Sequence, residues 1–160
     1  MPAGRRILGV DPGLASTGWG IIDEVNSKLI YIDHGMIITK AHCPRAERLF
    51  FILQKIRLIL KKYKPTEAAI ETLYFGRNVS SAIPVAESRG VISAAIAEKN
   101  IPLREFTPNA IKTGVTGSKS ADKKQVQEMV RLILALDEIP APDHASDALG
   151  AAICAANNKL

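Results

Sequence analysis

The chain has 160 residues, of which 47% are hydrophobic and 23% are charged, and it carries a net charge of +5. A chain of this length usually forms one domain with its own core, so we expect a single domain over residues 1–160. The composition is too apolar for a disordered protein. The sequence has no run of about 18 apolar residues, so it predicts no membrane-spanning helix. The two cysteines, Cys43 and Cys154, form no CxxC motif, which argues against a zinc site or a disulfide framework. The opening residues are positively charged, but the apolar run that follows them is too short for the core of a signal peptide. We therefore expect a reducing, cytoplasmic location.

Hydrophobic periodicity and turn residues predict nine elements along the chain. The first three are strands with a turn at Asn26-Ser27, and they form an antiparallel meander. The predicted strands cover residues 5–10, 18–23, 29–33 (with an extension to 38 as the alternative), 68–71 and 103–106, and the predicted helices cover 45–63, 80–99, 123–136 and 144–157. A meander followed by alternating helix and strand predicts an α/β fold, in which one five-stranded mixed sheet has helices on both faces.

Three acidic residues interrupt apolar surroundings at the ends of predicted elements. Asp11 ends the first strand, Glu71 ends the fourth, and Asp147 lies in the first turn of the last helix, with His144 three residues before it. Each residue has a plain structural explanation when taken alone: a turn before Pro-Gly, a strand end that reaches water, and an acid that favours a helix N-terminus. Their combination is more informative than any one of them.

The acids converge if the strands of Asp11 and Glu71 are neighbours and the last helix packs over them. Such a cluster does not ionise fully without counterions, which indicates divalent cations, and hard oxygen ligands suit Mg²⁺ or Mn²⁺. Two such ions can activate water and stabilise the leaving oxygen in phosphodiester cleavage. The basic chain, with lysines and arginines clustered at residues 45–48, 57–64 and 112–124, permits a nucleic acid partner.

Several segments, in order along nearly the whole chain, resemble the motifs of the RuvC family of Holliday-junction resolvases. These segments are residues 7–20 (ILGVDPGLASTGWG), 69–71 (AIE), 88–91 (SRGV), 123–127 (KKQVQ) and 147–149 (DAL). The resemblance implies a ribonuclease H-like fold. It also implies a Mg²⁺-dependent endonuclease with two ions per site and Mn²⁺ as a substitute. Such an enzyme resolves four-way junctions by paired symmetric nicks in homologous recombination and DNA repair.

The resemblance assigns catalysis and metal binding to Asp11, Glu71 and Asp147. The fourth family acid has His144 in its place, and Asp143 is adjacent. We favour His144, because a one-residue shift turns a helical side chain by about 100°, away from the face of Asp147, and because imidazole is a competent metal ligand.

The resemblance also implies DNA contacts and partners. The expected DNA-binding residues are Tyr74, which stacks on a base, and Arg77, Lys112, Lys119, Lys123 and Lys124. The expected partners are four-way junction DNA and the RuvA and RuvB branch-migration proteins. Because a junction has two-fold symmetry, paired nicks need two matching active sites, so we also expect a homodimer. We place its contact at the helix at 80–99, which is apolar on much of its circumference.

Two other functions remain as alternatives at this point. Residues 11–18 resemble the phosphate-binding turn of sugar kinases and actin-like ATPases, although such enzymes need two domains of this kind. A junction-binding module without catalysis, in which His144 marks a decayed site, is the second alternative.

Overall fold

The computed structural model describes residues 4–72 and 78–159. Its elements follow the predicted order, with one additional helix. They are β1 (Arg5–Asp11), β2 (Ser16–Val25), β3 (Lys28–Ile38), α1 (Arg45–Tyr63), β4 (Glu67–Glu71), α2 (Val79–Glu98), β5 (Leu103–Phe106), α3 (Pro108–Thr116), α4 (Lys123–Ile133) and α5 (Asp143–Asn157).

The five strands form one mixed sheet in the order β3-β2-β1-β4-β5. Strand β1 pairs antiparallel with β2 and parallel with β4, and β4 pairs parallel with β5. Because β1 and β4 are parallel neighbours, their carboxyl ends meet at one edge of the sheet. The predicted α/β fold with a five-stranded mixed sheet is confirmed.

Helices cover both faces of the sheet, and each face has its own core. On one face α3, α4 and α5 pack over side chains such as Ile7 and Ile22, and on the other α1 and α2 pack over Leu8 and Ile70. Helix α5 lies against the centre of the sheet, with eleven of its fifteen residues buried. Within the described residues, no helix is both long and apolar enough to cross a membrane.

The structure differs from the sequence-based elements mainly around α3 and α4. Helix α3 was not predicted, because its nine residues carry only a short apolar pattern. Helix α4 ends at Ile133, three residues before the predicted end. Ala135 takes a left-handed conformation with φ of 51°, although the apolar spacing continues to Leu136. Strand β3 does extend to Ile38.

Candidate active site

Strands β1 and β4 bring two acids to the same edge of the sheet. Asp11 is the last residue of β1 and Glu71 is the last residue of β4. The Asp11 side chain is only 13% exposed, and the Glu71 side chain is partly buried. Parallel pairing of the two strands is therefore sufficient to place these carboxyl groups beside each other.

Helix α5 reaches this edge because the sheet beneath it lacks side chains. A Cβ atom on Gly9 would overlap the backbone oxygen of Ala148, and a Cβ atom on Gly18 would overlap that of His144. Gly18 is also the residue opposite Asp11 in the β1–β2 pairing. The two glycines let the first turns of α5 lie directly on β1 and β2, and so bring their side chains to Asp11.

The structure brings Asp11, His144 and Asp147 into one cluster. The Nδ1 atom of His144 lies 2.7 Å from Oδ2 of Asp11, and one candidate ligand atom from each of the three residues lies within 4.8 Å of the others. The His144 side chain is half exposed and that of Asp147 is 30% exposed. Glu71 lies beside this group, because it ends the strand that pairs with that of Asp11 and lines the same cleft as Asp147.

Two carboxyl groups at this site, those of Glu71 and Asp147, have raised pKa values. Burial and the neighbouring charges of Asp11 and Asp147 raise the pKa of Glu71 to about 8. Burial and the charge of Asp11 raise the pKa of Asp147 to about 6, although Lys123 and His144 act in the opposite direction. Because like charges at this spacing do not all ionise, the cluster has a deficit of positive charge that a divalent cation would fill.

The donor set fits a hard divalent cation. Three carboxyl groups supply oxygen ligands, which suit Mg²⁺ and Mn²⁺, and one imidazole favours Mn²⁺ slightly more than an all-carboxylate site would. Asp11, Glu71, Asp147 and His144 are the residues that would hold it.

Asp143, the alternative to His144, points to a different element. Its carboxylate accepts hydrogen bonds from Lys123 at 3.2 Å and from Gln127 at 3.0 Å, and both donors belong to α4. His144 instead faces Asp11. The two neighbouring residues therefore have separate surroundings, which favours His144 as the fourth ligand.

The predicted DNA-binding residues are divided between two places. Lys112 and Lys123 line a cleft of about 240 Å³ together with Glu71 and Asp147. Lys124 lines a second groove, of about 690 Å³, beside the loop between α3 and α4, and Lys119 is exposed in that loop. Tyr74 and Arg77 lie outside the described residues.

The sequence did not lead us to predict the helix that carries Lys112, or the hydrogen bond that Gln127 donates to Asp143. Thr107 caps α3 by accepting a hydrogen bond from the amide of Ala110, and Pro108 is the first helical residue. Thr followed by Pro is a recognised helix start, so this signal was available. Gln127 follows Lys123 by four residues and shares its helical face, but no sequence feature places Asp143 opposite that face.

The mixed five-stranded sheet carries a cluster of acids and an imidazole at the carboxyl edge of its central strands. Lysines line the adjoining cleft. Together these features define a metal-dependent nuclease of the ribonuclease H-like class. The family model described as crossover junction endodeoxyribonuclease RuvC matches residues 7–155. The chain therefore belongs to the RuvC family.

Individual relatives agree with this assignment. The crossover junction endodeoxyribonuclease RuvC of Treponema denticola is 50% identical over 151 residues, which cover 94% of this chain and 85% of the relative. That of Chloroflexus aurantiacus is 48% identical over 149 residues, covering 93% and 91% of the two chains.

Solved structures show the same fold. Thermus thermophilus RuvC is 29% identical and superposes with a TM-score of 0.88, covering 95% of this chain and 93% of that one. The T. thermophilus RuvC in complex with a Holliday junction substrate gives a TM-score of 0.89 at 29% identity, with 94% and 92% covered. Family membership decides against the phosphotransferase alternative and in favour of an endonuclease.

Proposed function

We propose that this chain resolves four-way DNA junctions by paired symmetric nicks, using divalent cations held by Asp11, Glu71, His144 and Asp147. The observation that carries the proposal is the cluster of Asp11, His144 and Asp147 at the carboxyl edge of β1 and β4. Glu71 ends the strand beside that of Asp11 and lines the same cleft as Asp147. The related T. thermophilus protein in complex with a Holliday junction supports this substrate.

Two Mg²⁺ ions, with Mn²⁺ as a substitute, are the expected cofactors. When bound, they would supply a polarised water and neutralise charge on the phosphate oxygens. The chain's own residues set the conditions for binding. Glu71 keeps its proton up to about pH 8 in the metal-free protein, so cation binding at neutral pH releases that proton. The contact between His144 and Asp11 fixes the imidazole at the exposed side of the cluster.

The lysines provide the phosphate contacts. Lys112 and Lys123 line the cleft that also contains Glu71 and Asp147, so a phosphate in this cleft would lie between the lysines and the acids. Lys119 is exposed in the loop before α4 and Lys124 lines the second groove, and we propose that both contact the DNA backbone away from the cleavage site. Tyr74 stacking on a base and Arg77 contacting a phosphate complete the proposed interface.

The two-fold symmetry of a junction requires two active sites, which a symmetric homodimer supplies. Helix α2 is proposed as the contact. Its residues Val79 and Ile83 are 57% and 46% exposed, and a Cβ atom on Gly90 would meet open space. The neighbouring helix α1 adds Phe50, which is 56% exposed. A second copy of the chain would cover these apolar side chains.

The biological setting rests on family membership. It comprises homologous recombination and DNA repair in the cytoplasm, with the RuvA and RuvB branch-migration proteins as partners.

Cleavage of a synthetic four-way junction tests the proposal. The wild-type chain should nick two like strands in Mg²⁺ and leave a linear duplex of the same sequence intact. Asp11→Asn should abolish nicking while junction affinity stays the same or rises, because the change removes a metal-binding charge and some repulsion toward phosphate. Asp137→Asn, which removes an exposed acid in the loop before α5, serves as the matched control.

Three results would contradict the proposal: binding without nicking in the wild type, ATP hydrolysis without DNA cleavage, or loss of junction binding in a folded Asp11→Asn protein.

A further inference from the structure

We propose that Asp143 is a positioning residue, which together with Gln127 holds the ammonium of Lys123 at the cleft where the scissile phosphate enters. This inference rests on the proposed junction cleavage and extends it to a residue outside the four-residue cluster. Asp143 is the first residue of α5, whereas Lys123 and Gln127 lie one turn apart on the same face of α4.

The contacts tie the two helices together through one carboxylate. Oδ2 of Asp143 lies 3.2 Å from Nζ of Lys123, and Oδ1 of Asp143 accepts a hydrogen bond of 3.0 Å from Nε2 of Gln127. Both carboxylate oxygens are therefore occupied by donors from α4. This double contact fixes the orientation of the carboxylate, and with it the place where Lys123 is held.

Lys123 needs such a partner because its own helix does not hold it. It is the first residue of α4, where the helix dipole disfavours a positive charge. Its side chain is 58% exposed, and the flexible four-carbon stem of a lysine loses considerable entropy when it is confined. The position of the ammonium thus depends on the acids opposite α4.

Among the described residues, two acids lie within 4.0 Å of the ammonium, and they have different roles. Asp147 lies 3.9 Å from Nζ of Lys123, but Asp147 belongs to the proposed metal-binding cluster. When a cation binds there, the negative charge of Asp147 is shared with it. Asp143 is outside the cluster, and its two carboxylate oxygens contact Lys123 and Gln127 of α4 instead. Asp143 is therefore the carboxylate that keeps Lys123 in place during cleavage.

A double-mutant cycle tests this role, because the positioning role and simple removal of a charge predict opposite changes in junction affinity. Removing a carboxylate near DNA should by itself strengthen junction binding. If Asp143 positions Lys123, then Asp143→Asn should instead lower the cleavage rate and the metal-free junction affinity, each by roughly threefold or more, as is usual for coupled neighbours. In the Lys123→Ala background the same change should leave both quantities unchanged or raise the affinity.

Three further measurements complete the test. Glu138→Gln, which removes an exposed acid from the loop before α5, should change neither cleavage nor affinity. Gln127→Ala should weaken binding in the same direction as Asp143→Asn but less. The Mg²⁺ concentration for half-maximal cleavage should be the same in Asp143→Asn as in the wild type, because Asp143 is not a ligand.

Equal losses from Asp143→Asn in the two backgrounds would overturn the proposal, and so would a raised Mg²⁺ requirement. Failure of the wild type to cleave a junction would instead count against the proposed function. In that case the junction affinities measured in the cycle would still test whether Asp143 positions Lys123.

Discussion

Glu71→Gln should make the metal-free protein more stable at alkaline pH while abolishing its metal-dependent activity. Glu71 is the most perturbed acid of the cluster, because burial and the charges of Asp11 and Asp147 raise its pKa from 4.5 to about 8. Glutamine keeps the shape and removes the charge. The acid that we propose as a metal ligand is therefore one that the metal-free fold tolerates poorly in its ionised form.

The size of the effect follows from the pKa. A rise from 4.5 to about 8 corresponds to about 5 kcal/mol when each tenfold change in proton affinity is worth about 1.4 kcal/mol. Because the side chain is partly exposed and solvent screens its charge, about 2 kcal/mol is the expected difference in the free energy of unfolding.

The direction of the pH dependence is fixed by the raised pKa. The folded protein keeps the Glu71 proton to higher pH than the unfolded chain does. This contribution to stability is complete below about pH 4.5 and is lost as the pH rises toward 8. The glutamine variant loses nothing over this range, so the two proteins should diverge with increasing pH.

Thermal unfolding between pH 5 and pH 9, in EDTA and in Mg²⁺, measures this difference. In EDTA at pH 9 the Glu71→Gln protein should melt about 4–8 °C above the wild type, with little difference at pH 5. In Mg²⁺ the wild type should gain more than the variant, because cations replace the proton. Glu138→Gln is the matched control. Equal melting temperatures in EDTA at pH 9 would refute the argument that Glu71 is destabilising when ionised.

Three further predictions concern other parts of the site. His144→Ala should raise the Mg²⁺ concentration for half-maximal cleavage and lower the rate at neutral pH, whereas Asp143→Ala should leave that concentration unchanged; the opposite ranking would make Asp143 the fourth ligand. His144→Asp should stay active, extend activity to lower pH and reduce the advantage of Mn²⁺, because an imidazole must be neutral to bind metal. Lys112→Ala should reduce the slope of log affinity against log salt by about one, and an unchanged slope would show that Lys112 contacts no phosphate.

Most of the fold could be predicted from the sequence because the local signals agree with the tertiary structure. The apolar spacing between Arg45 and Tyr63 predicts α1 at its observed bounds, and Lys64-Pro65 marks its end. The parallel pairing of β1 with β4 was the condition on which convergence of Asp11 and Glu71 depended, and the sheet order fulfils it. Strand ends and helix starts are local features, so candidate acids at such positions could be found without a structure.

The remaining features depend on contacts between distant segments, which local patterns do not contain. The pairing of Asp143 with Lys123 and Gln127 joins two helices across a loop, and the helical-face argument predicted only that Asp143 would turn away from Asp147. Helix α3 is short, and its stability comes from packing Ile111 and Val115 on α5 rather than from a long apolar stripe. The feature of the sequence that indicates such a helix is its N-cap, Thr107 followed by Pro108.

The close approach of α5 to the sheet explains why mutually repelling acids remain together. Six buried alanines, Leu149 and Ile153 line the helix, and burying them contributes on the order of 10 kcal/mol at about 0.8 kcal/mol per methyl or methylene group. The expected penalty for ionised Glu71, about 2 kcal/mol, is much smaller. Packing therefore sets the geometry, and the raised pKa values of Glu71 and Asp147 are its electrostatic consequence. We expect the glycines that permit this packing to matter for activity. Gly18→Ala should push the first turn of α5 off β2, since its Cβ atom would overlap the backbone oxygen of His144. Cleavage should fall more than the melting temperature alone accounts for. If a folded Gly18→Ala protein cleaved junctions at the wild-type rate, close packing at this point would not be what places His144 beside Asp11.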